Sequence, residues 1–328
     1  MEISERTILY GIDPGSSKSW ASYRTTCQKS SATFDRPTYT ETPIVSLDAF
    51  ISKIACDAKD SAVLLAIDAP ICMPQSFTRP GASLKGSYWP FDLNPFSTRP
   101  CEKALGSKPS VLDSKLKFPK LAEIIGRLCG WKGEHRNQSN RSLTKIHPGL
   151  SVLGYQGAPH GPVVQLFRGR LAERAASEGI CLSYSPKAAT NPVSRCIYVL
   201  ESHPAVTMAV WIAQKRLGAI DTLQKYKGDS SAATKIGFQA ACNGVVDLLS
   251  KEIATLDSPV SSDDELDALV GLANLVDLIR GKCDWWGTED MGYFLIPRIT
   301  DSLCCPTVRE AWDNANKCVN ELEVNKHG

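Results

Sequence analysis

Ala62-Val63-Leu64-Leu65-Ala66-Ile67-Asp68 is a run of six apolar residues ended by a carboxylate. The run is too short for a typical helix and does not alternate, so it predicts a strand buried on both faces in the middle of a sheet. Pro70 ends it two residues later. Ile8-Leu9-Tyr10-Gly11-Ile12-Asp13 has the same build, again closing on an aspartate. Two central strands, each presenting a carboxylate at its end, predict an α/β sheet whose chemistry collects at strand carboxyl ends.

Outward from these runs, Thr7–Asp13 predicts a first strand, and Pro14-Gly15-Ser16-Ser17 a tight turn into a partner strand, Ser19–Thr25. A third strand is expected around Thr33–Thr40. Val45–Asp57 carries Leu47, Phe50, Ile51 and Ile54 at helical spacing. Residues 70–146 form a basic, proline-rich insertion, punctuated by Pro74, Pro80, Pro90, Pro95, Pro100 and Pro109, with one helix expected at Pro119–Cys129 and a solvated loop at Gly133–Leu143. Beyond it come a helix over Gly161–Glu178, a strand over Arg195–Glu201, and a helix opened by Pro204 that runs to about Leu217. Two long helices, Ser230–Leu256 and Ser262–Arg280, close the fold. The expectation is one domain spanning residues 1–328: a mixed sheet flanked by helices, interrupted by an irregular insertion.

In the last helix, Ser262 and Glu265 form a capping box, and Asp263 and Asp264 sit where the helix dipole favours negative charge. Asp267 has no such explanation. At 100° per residue Leu266, Leu269, Val270, Ala273 and Val276 make one apolar stripe, while Asp264, Asp267, Gly271 and Asn274 share a neighbouring face. A glycine in mid-helix costs about 1 kcal/mol against alanine, and here it would let the helix approach something closely. Carboxylates at apolar strand tips are costly to bury unless they are paired or hold a metal, and hard divalent cations take oxygen ligands of this kind. Asp13, Asp68, Asp264 and Asp267 therefore point to a metal-dependent site acting on phosphodiesters. Asp13 and Asp68 also suit the start of a turn, since each precedes proline closely. Glu201 and His203 end the late strand and offer a carboxylate and an imidazole for ligation or acid–base work. Lys18, Arg79, Arg99, Lys225 and Lys227 are candidate phosphate contacts by charge, with Arg99, Lys18 and Lys225 taken as the substrate-binding set. Trp89 and Phe91 either stack bases or anchor the insertion.

The 328 residues are 43% apolar and 22% charged, with a net charge of +2. That balance hides an asymmetry: thirteen basic against five acidic residues from Pro70 to Ile146, and seven against fifteen from Lys251 onward. Opposed halves suit a polyanion on one side and a metal on the other, or simply two solvated surfaces. No apolar run approaches the roughly 20 residues of a membrane span, and no signal peptide is evident at the start. Twelve cysteines without any CxxC are expected to be reduced thiols of a cytoplasmic protein rather than a zinc site or a disulfide framework.

Gly-Ile-Asp-Pro-Gly at 11–15, Ala-Ile-Asp-Ala-Pro at 66–70, Arg-Pro-Cys-Glu at 99–102, Glu-Ser-His-Pro at 201–204 and Asp-Asp-Glu-Leu-Asp-Ala at 263–268 resemble, in that order, the family of predicted RNase H-like nucleases known as domain of unknown function 429. The resemblance runs from about Thr7 to Arg280. The Asp264-x-x-Asp267-Ala ending is also similar to the last acidic pair of Holliday-junction resolvases. The resemblance implies an RNase H-like fold with a five-stranded mixed sheet, and two Mg²⁺ or Mn²⁺ ions held by Asp13, Asp68, Asp264 and Asp267. It implies nuclease activity on DNA or RNA by a two-metal-ion mechanism. Glu201 and His203 match the family's Glu-x-His-Pro, whose role the resemblance leaves open.

Two other classes compete. Gly11–Ser17 resembles the first phosphate loop of actin-type and sugar-kinase phosphotransferases, a class that also needs a second glycine-rich loop not found downstream. A nucleic-acid-binding protein that kept the fold without the chemistry is the third reading.

Overall fold

The computed structural model describes residues 4–14, 19–29, 33–69, 71, 160–218, 226–227, 231–256, 258–288, 292–299 and 313. Within the expected insertion only Ile71 is described, so the Pro119–Cys129 helix and the Gly133–Leu143 loop lie outside the described residues, as do Arg79, Trp89 and Phe91.

The chain opens as an antiparallel pair, β1 (Arg6–Asp13) and β2 (Ser19–Gln28), with Asp13 opposite Ala21 and Gly11 opposite Tyr23. The edge beyond β2 is built from two pieces. β3 (Thr33–Phe34) pairs with Cys27 and Gln28, and β4 (Thr38–Pro43) pairs with Ser19 through Arg24. The single strand expected over Thr33–Thr40 is thus broken. Pro37 lies in the gap, and a proline has no N–H to donate to the ladder.

Helix α1 (Leu47–Asp57) buries Leu47, Phe50, Ile51, Ile54 and Ala55, the expected stripe plus one alanine, and returns the chain to β5 (Ala62–Ile67). β5 is buried at every residue and pairs parallel to β1 with Ile12 beside Ile67. The run that predicted a central strand therefore is one. Next come α2 (His160–Ser177), β6 (Cys181–Ser183), the short α3 (Pro186–Ala189) and β7 (Cys196–Glu201). β7 pairs parallel to β5, with Glu201 beside Ile67, and β6 adds a parallel edge outside β7. The mixed α/β sheet is confirmed, but among the described residues it has seven strands rather than five, in the order β3–β2–β1–β5–β7–β6 with β4 also on β2.

Three more helices follow: α4 (Pro204–Ala213), α5 (Ala232–Ser250) and α6 (Asp263–Ile279). A hairpin unforeseen from sequence, β8 (Cys283–Thr288) with β9 (Gly292–Pro297), comes after them. Strand alternation sorts the layers. Tyr10 and Trp20 point to one face, where Tyr10 meets Phe50 of α1 edge-on at 6.0 Å and Trp20 meets Phe167 of α2 at 5.0 Å. Gly11, Tyr23 and Ala66 point to the other, which is covered by α6. There the Tyr23 hydroxyl donates to Glu265 at 2.7 Å. α6 is buried along nearly its whole length, from Glu265 to Leu278. Trp211 of α4 and Arg216 just beyond it both donate to Asp277, the arginine through two 2.8 Å bonds, which ties α4 to α6. Among the described residues no helix is long and apolar enough to cross a membrane, and the six described cysteines are all free thiols.

Candidate metal centre

The parallel register of β1, β5 and β7 fixes what their carboxyl ends present. Asp13 and Asp68 each lie one residue beyond the matched pair Ile12–Ile67. The Asp68 N–H donates to the Ile12 carbonyl at 2.9 Å, which pins the tip of β5 to β1. Counting back by twos, Asp13 shares the face of Gly11, and Asp68 shares the face of Ala66. Both carboxylates therefore face α6.

Contact between α6 and that face is closer than any side chain would allow. A Cβ on Gly11 would come within 2.0 Å of the Ala268 carbonyl and 2.3 Å of the Leu272 nitrogen. Gly271 is its counterpart on the helix: a Cβ there would lie 3.2 Å from the Ala66 carbonyl and 3.4 Å from the Gly11 Cα. The close approach expected of Gly271 is thus made against the two carboxylate-bearing strands. One turn before it, Asp267 is wholly buried and directed to the strand tips. One turn after it, Asn274 donates to Ser202 at 3.1 Å and Thr207 at 2.8 Å, locking α6 to the β7–α4 corner.

The result is a triad from three elements. One carboxylate oxygen each of Asp13, Asp68 and Asp267 lies within 4.8 Å of the others. Asp13 and Asp267 are buried and Asp68 is half-buried. All-oxygen donors from acidic side chains are what hard divalent ions take, at about 2.0–2.6 Å per ligand, so oxygens converging within 4.8 Å fit a single shared cation. Three like charges this close are also self-repelling, and among the described residues two neighbours answer that repulsion. The Tyr226 hydroxyl donates to Asp267 Oδ1 at 3.0 Å. Burial first, then the charges of Asp68 and Asp13, push that hydroxyl well above its ordinary range, so it remains a donor. Lys227 pairs with Asp267 Oδ2 and lies 3.7 Å from Asp68 Oδ2. Burial is the largest influence and works against its charge, but the combined attraction of Asp68, Asp13, Asp263 and Asp264 holds the ammonium above its usual range.

The other expected residues are placed differently. Asp264, half-buried one turn before Asp267, is not among the three converging groups, although its charge reaches Lys227. Glu265 is structural: Ser262 caps its N–H at 3.1 Å, and its own carboxylate accepts from Tyr23 and from the N–H and hydroxyl of Ser261. The capping box closes on Ser261 rather than on Ser262. Glu201 is in register with Ile12 and Ile67 and so points to the face opposite the triad. Fully buried, it accepts the Ile71 N–H at 3.0 Å, while Arg168 donates to the Ile71 carbonyl at 3.0 Å. His203 is buried at the start of α4, edge-on to Phe294 at 5.5 Å. Lys18, Arg99 and Lys225 lie outside the described residues. Among the described residues Lys227, two positions from Lys225, is the lysine that meets the triad. Nothing in its local sequence beyond charge distinguishes the two, and Tyr226 carried no signal at all.

No family model, curated protein or solved structure matches the chain.

Proposed function

We propose that this protein is a metal-dependent nuclease of RNase H-like architecture that hydrolyses phosphodiester bonds of DNA or RNA. The observation that carries the reading is the convergence of Asp13, Asp68 and Asp267 from β1, β5 and α6 to within 4.8 Å of one another. The surrounding sheet supports it: the broken edge β3/β4 followed by β2, β1, β5 and β7 makes five positions of a mixed core, to which β6 is an addition.

Divalent ions of the Mg²⁺ or Mn²⁺ class, when bound by such carboxylates, supply Lewis-acid activation of water and charge neutralisation at phosphate. Asp13 and Asp68 are fixed by the strand register, and Asp267 by the glycine contact behind it, so the ligands are preorganised by backbone rather than by loops. Tyr226 orients Asp267 through its second oxygen. The triad accounts for one cation, and the two-ion form of the mechanism draws on Asp264 as well. Glu201 and His203 support the strand ends from neighbouring positions. The basic residues of 70–146 supply the sequence's complement to a polyanion.

The test is cleavage of single-stranded, duplex and branched DNA and RNA in Mg²⁺ or Mn²⁺. The wild type is expected to cut at least one class, and Asp13→Asn or Asp68→Asn to lose 10²-fold or more, roughly the scale of a lost electrostatic catalytic group. Full activity in both folded variants would overturn the site.

A further inference from the structure

Lys227 is the only cation that the described residues bring into the triad, and its position is informative. Its ammonium is shared between Asp68 and Asp267, which come from different elements, so it stands where a cation bridging β5 to α6 would stand. Asp267 is fully buried and the Asp68 side chain nearly so, whereas the Lys227 side chain retains 36% of its exposure. The lysine is therefore the most solvent-exposed of the three paired side chains. Its four-carbon stem is flexible and its head is a strongly hydrated point charge, which makes withdrawal to water a low-cost movement. Among the described residues, Asp13, Asp263 and Asp264 add negative charge around the ammonium, and Tyr226 lies 5.6 Å below it through its ring.

We infer that Lys227 is a tethered counter-cation that competes with the divalent ion for Asp68 and Asp267, and that metal binding displaces it toward solvent. The inference rests on the metal-centre reading of the triad. It makes Lys227 the residue that sets metal affinity: its ammonium offsets part of the negative charge of Asp68 and Asp267, and the ion must replace that pairing to enter. The cost of breaking the pair is subtracted from the ion's binding energy, as for any two ligands of one site whose binding is mutually exclusive.

The experiment is Mn²⁺ calorimetry on the wild type, Lys227→Met and Lys227→Arg, with acylation of Lys227 followed by mass spectrometry in the wild type with and without Mg²⁺. The expected result is binding about tenfold tighter in Lys227→Met, within the usual range of coupling between sites. Lys227→Arg should bind no tighter than the wild type, and Mg²⁺ should accelerate acylation of Lys227. A folded Lys227→Met that binds Mn²⁺ no tighter than the wild type overturns the inference while leaving the metal centre standing. If that variant does not fold, the wild-type arm decides: acylation unchanged by saturating Mg²⁺ overturns it. Absence of Mn²⁺ binding in every folded protein removes the metal centre itself, makes Lys227 a permanent counter-ion, and overturns both.

Discussion

Glu201 and Asp68 end neighbouring strands, yet their side chains leave the sheet on opposite faces, because Glu201 is in register with Ile67 and not with Asp68. That offset of one residue separates a carboxylate available to a cation from one that holds a backbone amide. Glu201 accepts the Ile71 N–H in the dry interior, and removing a buried acceptor leaves its donor unsatisfied. Glu201→Ala should therefore lower stability by about 1–3 kcal/mol in urea titration, with Glu201→Gln milder because its amide oxygen still accepts. Neither change should abolish Mn²⁺ binding, and loss of binding in a stable Glu201→Gln would return this residue to the metal site. The triad aspartates were legible because each follows or interrupts an apolar pattern, although Asp13 and Asp68 also suit the start of a turn before proline. Glu201 fits that description equally well. Its different role depends on register between β5 and β7, which the sequence of neither strand contains.

At the scale of elements, the decisive contact is glycine against glycine. Gly11 and Gly271 allow α6 to lie on β1 and β5 at backbone distance, and that approach carries Asp267 to the tips of both strands. The two positions are not equivalent. A methyl on Gly11 meets backbone atoms at 2.0 and 2.3 Å, which no rotamer can relieve, while one on Gly271 meets its nearest atom at 3.2 Å. Overpacking of a tight core costs about 1–3 kcal/mol. Gly11→Ala should reach or exceed the upper end and push α6 outward, weakening Mn²⁺ binding as well. Gly271→Ala should change stability by no more than about 1 kcal/mol, because the helix propensity it gains offsets a moderate contact. Equal effects of the two substitutions on urea midpoints would refute this account of the interface. The mid-helix glycine announced a close approach, but nothing announced its partner, since Gly11 reads equally well as part of a turn-forming motif. The elements missed were those with weak local signals: β6 is only three residues long, and the β8–β9 hairpin mixes apolar residues with Asp284 and two glycines. Pro37 divides a strand that composition alone would have left whole.

Across the whole molecule, four separate stretches meet at one end of the sheet: residue 13 at the end of β1, 68 just beyond β5, 226–227 from the segment between α4 and α5, and 267 from α6. The chain passes from Asp68 toward the basic stretch through Ile71, whose peptide is held on both sides by Glu201 and Arg168. Ile71, three residues beyond Asp68, is thus anchored to β7 and α2. All of this depends on the triad binding a divalent ion. The most direct measurement is Mn²⁺ titration by calorimetry of the wild type, Lys227→Met, Asp68→Asn and Asp267→Asn, each checked for folding by circular dichroism. Binding is expected in the first two, and its loss, by about tenfold or more, in both aspartate variants. Undiminished binding in folded Asp68→Asn and Asp267→Asn, or no binding to either the wild type or Lys227→Met, would contradict it.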